Sequence, residues 1–203
     1  MRHGIRGIVF DAFGTLTTPV PRNGPYQTLA SAANAATRLF RDEAMTLDIP
    51  IGELAVRYGR PDLADRLTQE LADEVATVEL FEEVGPYLSL LDWRRVPYAV
   101  CSNLAHGYGE RVKQLVPGAN GYAMSYEVGA FKPQPEIYHA ALELLDLPPE
   151  RVLFVGDTLR ADVEGPREVG MKAVHIDRKA GHTLVSVIAH ALRDAAAPPM
   201  LDE

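Results

Sequence analysis

Three polar residues stand at the ends of short apolar runs: Asp11 after IRGIVF (5 to 10), Ser102 closing PYAVCS (97 to 102), and Asp157 closing RVLFVGD (151 to 157). Lys132, followed by Pro133, comes shortly after a fourth run, YAMSY (122 to 126). If these runs are neighbouring strands, a carboxylate, a hydroxyl, a second carboxylate and an ammonium converge. A carboxylate at a strand end can act as a nucleophile, dividing one difficult displacement into formation and hydrolysis of a covalent intermediate. Asp11 is the candidate. Gly14 permits a tight turn beyond it, and the Thr15 hydroxyl with nearby backbone N–H groups can hold anionic oxygens. Ser102 adds a second hydroxyl. Lys132 offsets the negative charge of substrate and nucleophile, and such electrostatic stabilisation is often the largest catalytic contribution. Asp157 beside Asp11 would be repelled by it unless a cation sat between them. Mg²⁺ held by Asp11, Asp157, the backbone carbonyl near Phe13 and waters suits that ion's preference for oxygen ligands.

The elements that must position these groups are legible as a rhythm. The four runs and a fifth, KAVHI (172 to 176), alternate with helix-length segments around 107–115, 134–146, 159–170 and 182–195, the pattern of an α/β, doubly wound parallel sheet. In such a sheet ligands bind outside the carboxyl ends of the strands, where the polar residues lie. The stretch from Thr15 to Pro97 breaks the rhythm, because a crossover needs only about a dozen residues. It opens on the Pro/Gly-rich TTPVPRNGP (17 to 25) and continues as alanine-rich helical sequence from Tyr26 to about Met45. A further helical run from Pro61 to Leu80 places Leu63, Leu67, Leu71, Val75 and Val78 at spacings of three and four. The expectation is a core domain of residues 1–16 and 83–203 with a small inserted α-helical cap over 17–82, and a frayed tail AAAPPMLDE.

Composition narrows the function classes. With 203 residues, 47% hydrophobic and 24% charged, the chain has a globular profile. A formal charge of −8 without any basic run disfavours nucleic-acid and anionic-membrane partners. The absence of a long apolar run or signal-like leader gives a cytoplasmic location as the expectation. Cys101, the single cysteine, allows neither an intrachain disulfide nor a cysteine zinc cluster and reads as a buried small hydrophobe. A small-molecule substrate fits best, and a homodimer through the cap is compatible with the sequence.

Val9-Phe10-Asp11-Ala12-Phe13-Gly14-Thr15-Leu16 resembles the first motif of the haloacid dehalogenase superfamily, and the other stations follow in order. Cys101-Ser102-Asn103 resembles its second motif, Phe131-Lys132-Pro133 its third, and Val155 to Asp162 (VGDTLRAD) its fourth. The helical insert falls where that superfamily places its first type of cap. The resemblance implies an aspartate-nucleophile hydrolase on a HAD-like sheet. Phe13, Gly14 and Asn103 would border the substrate, and Asp162 would orient Lys132 or a water on the metal.

One position departs from the superfamily's phosphatases, which usually carry a second aspartate two residues after the nucleophile to protonate the leaving group. Here it is Phe13. General acid–base help is worth about 10²–10⁴-fold. DAFGTL instead resembles the superfamily's 2-haloacid dehalogenases, whose halide leaves without a proton, and Arg41 and Tyr138 fall near positions those enzymes use. The retained Asp157 and Asp162 point back to a Mg²⁺-dependent phosphatase acting on a small phosphorylated metabolite. A 2-haloacid dehalogenase and a non-catalytic binding protein are the alternatives. Simpler roles stand beside these: Asp11 or Asp157 capping a loop or helix, Ser102 in a turn, Lys132 and Arg41 solvated, and Phe13 an apolar plug, while His106, just past Ser102, is a candidate surrogate for the missing acid.

Overall fold

The computed structural model describes residues 4–20 and 24–194. Five parallel strands, β1 (Gly7–Phe10), β2 (Tyr98–Ser102), β3 (Tyr122–Met124), β4 (Val152–Gly156) and β5 (Lys172–His175), form one sheet in the order β3-β2-β1-β4-β5. β1 pairs with β2 on one side and β4 on the other. The chain winds outward from β1 through β2 to β3, then returns to β4 and β5. The order therefore reverses beside β1, and the crevice at the carboxyl ends of β1, β2 and β4 is where such a sheet binds ligands.

β1, β2 and β4 are buried at every residue, which explains why they read as unbroken apolar runs rather than alternating ones. Alternate side chains enter two apolar layers. Val9, Ala99, Cys101 and Phe154 pack against Ile137, Ala141 and Leu142 of the helix Pro135–Leu145. Phe10, Val100 and Val155 face the other layer, which is continuous with Leu29, Phe40, Leu54, Leu67 and Leu71 of the helical insertion. Each fully buried Leu or Phe contributes about 1.5–3 kcal/mol, so the insertion is anchored by the same burial that stabilises the sheet.

In chain order the helices are α1 (Pro25–Ala32), α2 (Thr37–Thr46), α3 (Ile51–Arg57), α4 (Ala64–Ala76), α5 (Val84–Arg94), α6 (His106–Leu115), α7 (Ser125–Val128), α8 (Pro135–Leu145), α9 (Gly165–Glu168) and α10 (Leu184–Asp194). The insertion's two connecting strands meet: Thr17 bridges antiparallel to Leu80, Thr18 N–H donates to the Glu79 carbonyl at 2.8 Å, and Phe81 N–H to Leu16 at 3.0 Å. Among the described residues no helix is long and apolar enough to cross a membrane.

Several elements differ from the sequence expectation. The helix expected from Tyr26 to Met45 is two, α1 and α2, because Asn34 takes a left-handed backbone (φ 49°) that an α-helix cannot continue through. Helices α3 and α5 were not anticipated. Gly85 and Pro86 both lie in the first turn of α5, where proline's missing N–H costs no helical bond. The run YAMSY is strand only to Met124. Ser125 then opens α7, its buried Oγ donating to the Leu104 carbonyl at 2.9 Å and accepting from Leu104 N–H at 3.0 Å. The helix expected over 159–170 is a wide π-type turn, Leu159–Glu164, followed by the short α9. Pro166 lacks the N–H that an ordinary α ladder requires there. The tail from 195 onward and Pro21, Arg22 and Asn23 of the insert's entry lie outside the described residues.

Candidate active site

Asp11 is the first residue past β1, and its N–H extends the ladder to the Val155 carbonyl of β4 at 2.9 Å. The side chain is buried, and its Oδ1 accepts from Ser102 Oγ at 2.9 Å and from Lys132 Nζ at 2.7 Å. Oδ2 has only the Thr15 hydroxyl, at 3.5 Å, among the described residues. That contact is at the outer limit of a hydrogen bond. One oxygen of the carboxylate is thus held while the other is left for chemistry.

Lys132 is buried, and its ammonium also donates to Asp162 Oδ1 at 2.6 Å. The Asn103 amide grips its backbone from both sides, accepting from Lys132 N–H at 2.7 Å and donating to Lys132 O at 2.9 Å. Asp162 reaches inward from the π-type turn, and its Oδ2 accepts Thr158 N–H at 2.9 Å. A Cβ at residue 156 would collide with the Asp162 side chain, so Gly156 permits this approach. Burial works against the charge on Lys132, yet Asp11 and Asp162 hold its pKa above the ordinary lysine value. Burial pushes the Asp162 carboxyl upward, Lys132 pulls it back, and Asp11 adds to the rise.

Asp157 lies just beyond β4, exposed at its edge, and the carboxylates of Asp11, Asp157 and Asp162 offer oxygens within 4.8 Å of one another. Partial desolvation, with the Asp11 charge next, raises the Asp157 pKa. Gly14, at φ 77°, bends the loop under it, and a Cβ there would fall on the Asp157 carboxylate. His175 Nε2 lies 2.8 Å from the Asp157 carbonyl and so holds the same loop. With one ammonium against three carboxylates the cluster carries a formal charge of about −2 when all are ionised. A cation at the open carboxylates would relieve it. The hard oxygen donors fit Mg²⁺. Asp11 and Asp157 are the residues free to hold it, since both Asp162 oxygens are engaged by Lys132 and Thr158.

Not every expected site residue faces this cluster. Tyr138 does not: it is fully buried in α8, edge-on to Phe154, and its hydroxyl donates to the Ala161 carbonyl at 2.6 Å. It braces the π-type turn instead. His106 Nδ1 lies 2.7 Å from Asp48 Oδ1, and its ring packs edge-on against Tyr126. Arg41 and Asn103 do line the space beside the site, between an apolar cavity of about 260 Å³ that also holds Phe13 and a second of about 350 Å³ bordered by Lys132 and Thr158. Phe13 stands edge-on to Tyr108, ring centroids 5.7 Å apart. Cys101 is buried, and its thiol is pushed up to about 12.

The sequence reading missed Ser125 and Arg178. The Arg178 guanidinium donates to the Thr15 carbonyl and to Glu83, and stacks 4.3 Å from the Phe81 ring centroid. It thereby ties the Asp11 loop to the insertion's exit. No sequence signal marks it, because it lies past the last apolar run. The buried charge pairs give a stability prediction: Lys132→Met leaves two carboxylates facing each other unpaired, and breaking a buried ion pair in this way costs about 3–5 kcal/mol. Urea unfolding in chelator should show that loss. An unchanged midpoint would contradict the arrangement.

A family model for haloacid dehalogenase-like hydrolases matches residues 5–170. A phosphoserine phosphatase of Thermus thermophilus is 31% identical over 127 residues, covering 59% of this chain and 49% of that protein. A glyceraldehyde 3-phosphate phosphatase of Methanopyrus kandleri is 40% identical over 84 residues, covering 39% and 35%. The chain thus spans about half the length, or less, of these curated relatives. Among solved structures, a HAD family enzyme of Bacteroides thetaiotaomicron in complex with magnesium and inorganic phosphate superposes with a TM-score of 0.67 at 16% identity, over 90% of this chain and 98% of that one. A 2-haloacid dehalogenase of Pseudomonas syringae pv. Tomato does so at 0.65 and 18%, over 89% and 90%. These two share the fold, whereas the family match extends over most of the sheet and through all four stations of polar residues: the chain belongs to the haloacid dehalogenase-like hydrolases.

Proposed function

We propose that this chain is a Mg²⁺-dependent phosphohydrolase of small phosphate esters that works through an aspartyl phosphate on Asp11. The observation that carries the reading is the pair of open carboxylates, Asp11 Oδ2 and Asp157, beside a lysine already neutralised by Asp11 and Asp162. Names borne by the two curated relatives agree with it. One carboxylate oxygen of Asp11 attacks phosphorus, the P–O bond to the leaving group breaks, and water later hydrolyses the acyl phosphate. Lys132, Ser102 and Thr15 hold Asp11 in place and lie where the transferring oxygens become most negative. Mg²⁺, when bound, supplies the charge neutralisation that lets a phosphate dianion approach this acidic cluster. The insertion, read as a cap over residues 17–82, excludes water and selects the substrate. Phe13 keeps 2-haloacid dehalogenation as the second reading, because it provides no proton for an alkoxide.

Asp157→Asn tests the metal assignment. Because the folded pKa of Asp157 is raised, its ionised form destabilises the protein at pH above that value, and the cost fades as pH falls through it. Removing the charge should raise Tm in EDTA at pH 7 and abolish both the Mg²⁺-induced rise in Tm expected of the parent chain and the Mg²⁺-dependent turnover. A variant that keeps the same Mg²⁺-induced rise would remove Asp157 as a ligand.

A further inference from the structure

The 350 Å³ cavity beside the site carries a charge pattern that the phosphoryl-transfer residues do not use. Arg38 and Arg41, one turn apart on α2, line it together with Arg160 of the π-type turn. Lys132, Asn103 and Thr158 form its inner wall, so the cavity abuts the three stations that surround Asp11. One carboxylate, Asp42, lines it, 3.4 Å from Arg41. Among the described residues Arg38 and Arg160 have no acidic partner. Three guanidinium groups against one carboxylate leave a local excess of about two positive charges, on a chain whose formal charge is −8. Like charges so placed repel, and an anion between them converts that repulsion into charge-assisted, bidentate hydrogen bonds. The volume lies within the range of small-molecule sites.

We propose that this cavity binds a second anionic group of the substrate, a carboxylate or a second phosphate, with Arg38 and Arg160 as specificity-determining residues. The substrate class then becomes phosphate esters with an anionic tail. This rests on the phosphohydrolase reading. The transferring phosphoryl group sits at Asp11 and Lys132, and the tail extends past Asn103 and Thr158 to the arginines.

The test is competitive inhibition of p-nitrophenyl phosphate hydrolysis by three esters: ethyl phosphate with a neutral tail, phosphoglycolate with a carboxylate, and ethane-1,2-diol bisphosphate with a phosphate. With the parent chain, at least one charged-tail ester should inhibit at a concentration about tenfold below ethyl phosphate, the discrimination of one good charge-assisted contact. Which one does so identifies the anion. In the Arg38→Gln/Arg160→Gln double variant, whose changes are exposed and keep helix-compatible side chains, that ratio should fall to within about threefold. Equal inhibition by all three esters in the parent chain, or a ratio that survives in the double variant, overturns the proposal. Absence of any p-nitrophenyl phosphate hydrolysis would instead overturn the phosphohydrolase reading beneath it.

Discussion

Asp11→Asn is expected to lower p-nitrophenyl phosphate turnover by on the order of 10⁴-fold or more, the scale seen when a covalent nucleophile is removed. The amide keeps an oxygen that can still accept from Ser102 and Lys132, so the site's shape survives. What disappears is the charge on the attacking oxygen. Far-UV circular dichroism and Tm separate this loss from misfolding, because Asp162 remains to pair the lysine. A variant retaining more than about a tenth of parent activity would show that Asp11 only caps its loop, and that the reaction begins elsewhere.

Phe13→Asp should act in the opposite direction on one class of substrate. Phe13 faces the apolar cavity with Tyr108, whose hydroxyl is taken by Glu74 at 2.7 Å. Tyr26 lines the same cavity, its phenol pushed up to about 12 by burial. The parent chain should therefore depend steeply on leaving-group basicity, hydrolysing aryl phosphates far faster than alkyl phosphates. A carboxyl at position 13 supplies the proton an alkoxide needs, and alkyl phosphate turnover should rise about 10–100-fold, within the range of general acid help. Aryl phosphate rates should change little. Steady-state rates for p-nitrophenyl, phenyl and ethyl phosphate with both proteins decide it, and a parent chain that cleaves ethyl phosphate as fast as the aryl esters would mean that another acid serves.

The sheet and the order of the stations were legible because parallel strands buried on both faces become continuous apolar runs, and because function collects where those runs end. Asp11, Ser102 and Asp157 follow from that rule alone, whereas Lys132 lies beyond β3 and α7. Contacts between residues distant in sequence were not legible. Asn103 clamping the Lys132 backbone, Ser125 bonding Leu104, and Arg178 joining Thr15 to Glu83 each depend on packing that no local pattern encodes. Tyr138 shows the converse. It has the spacing of a site residue, but the close approach of Gly165 to its hydroxyl and the Ala161 carbonyl fix it in the core. The break at Asn34 turned on one backbone angle inside a strongly helical composition.

The measurement that bears most directly on the account is p-nitrophenyl phosphate hydrolysis by the purified chain, titrated with Mg²⁺ and then with EDTA. Phenolate leaves readily, so Phe13 handicaps this substrate least. The account predicts saturable turnover that rises with Mg²⁺ and is extinguished by the chelator. No phosphate release at any Mg²⁺ concentration, together with chloride release from 2-chloropropionate that persists in EDTA, would contradict it and assign Asp11 to dehalogenation.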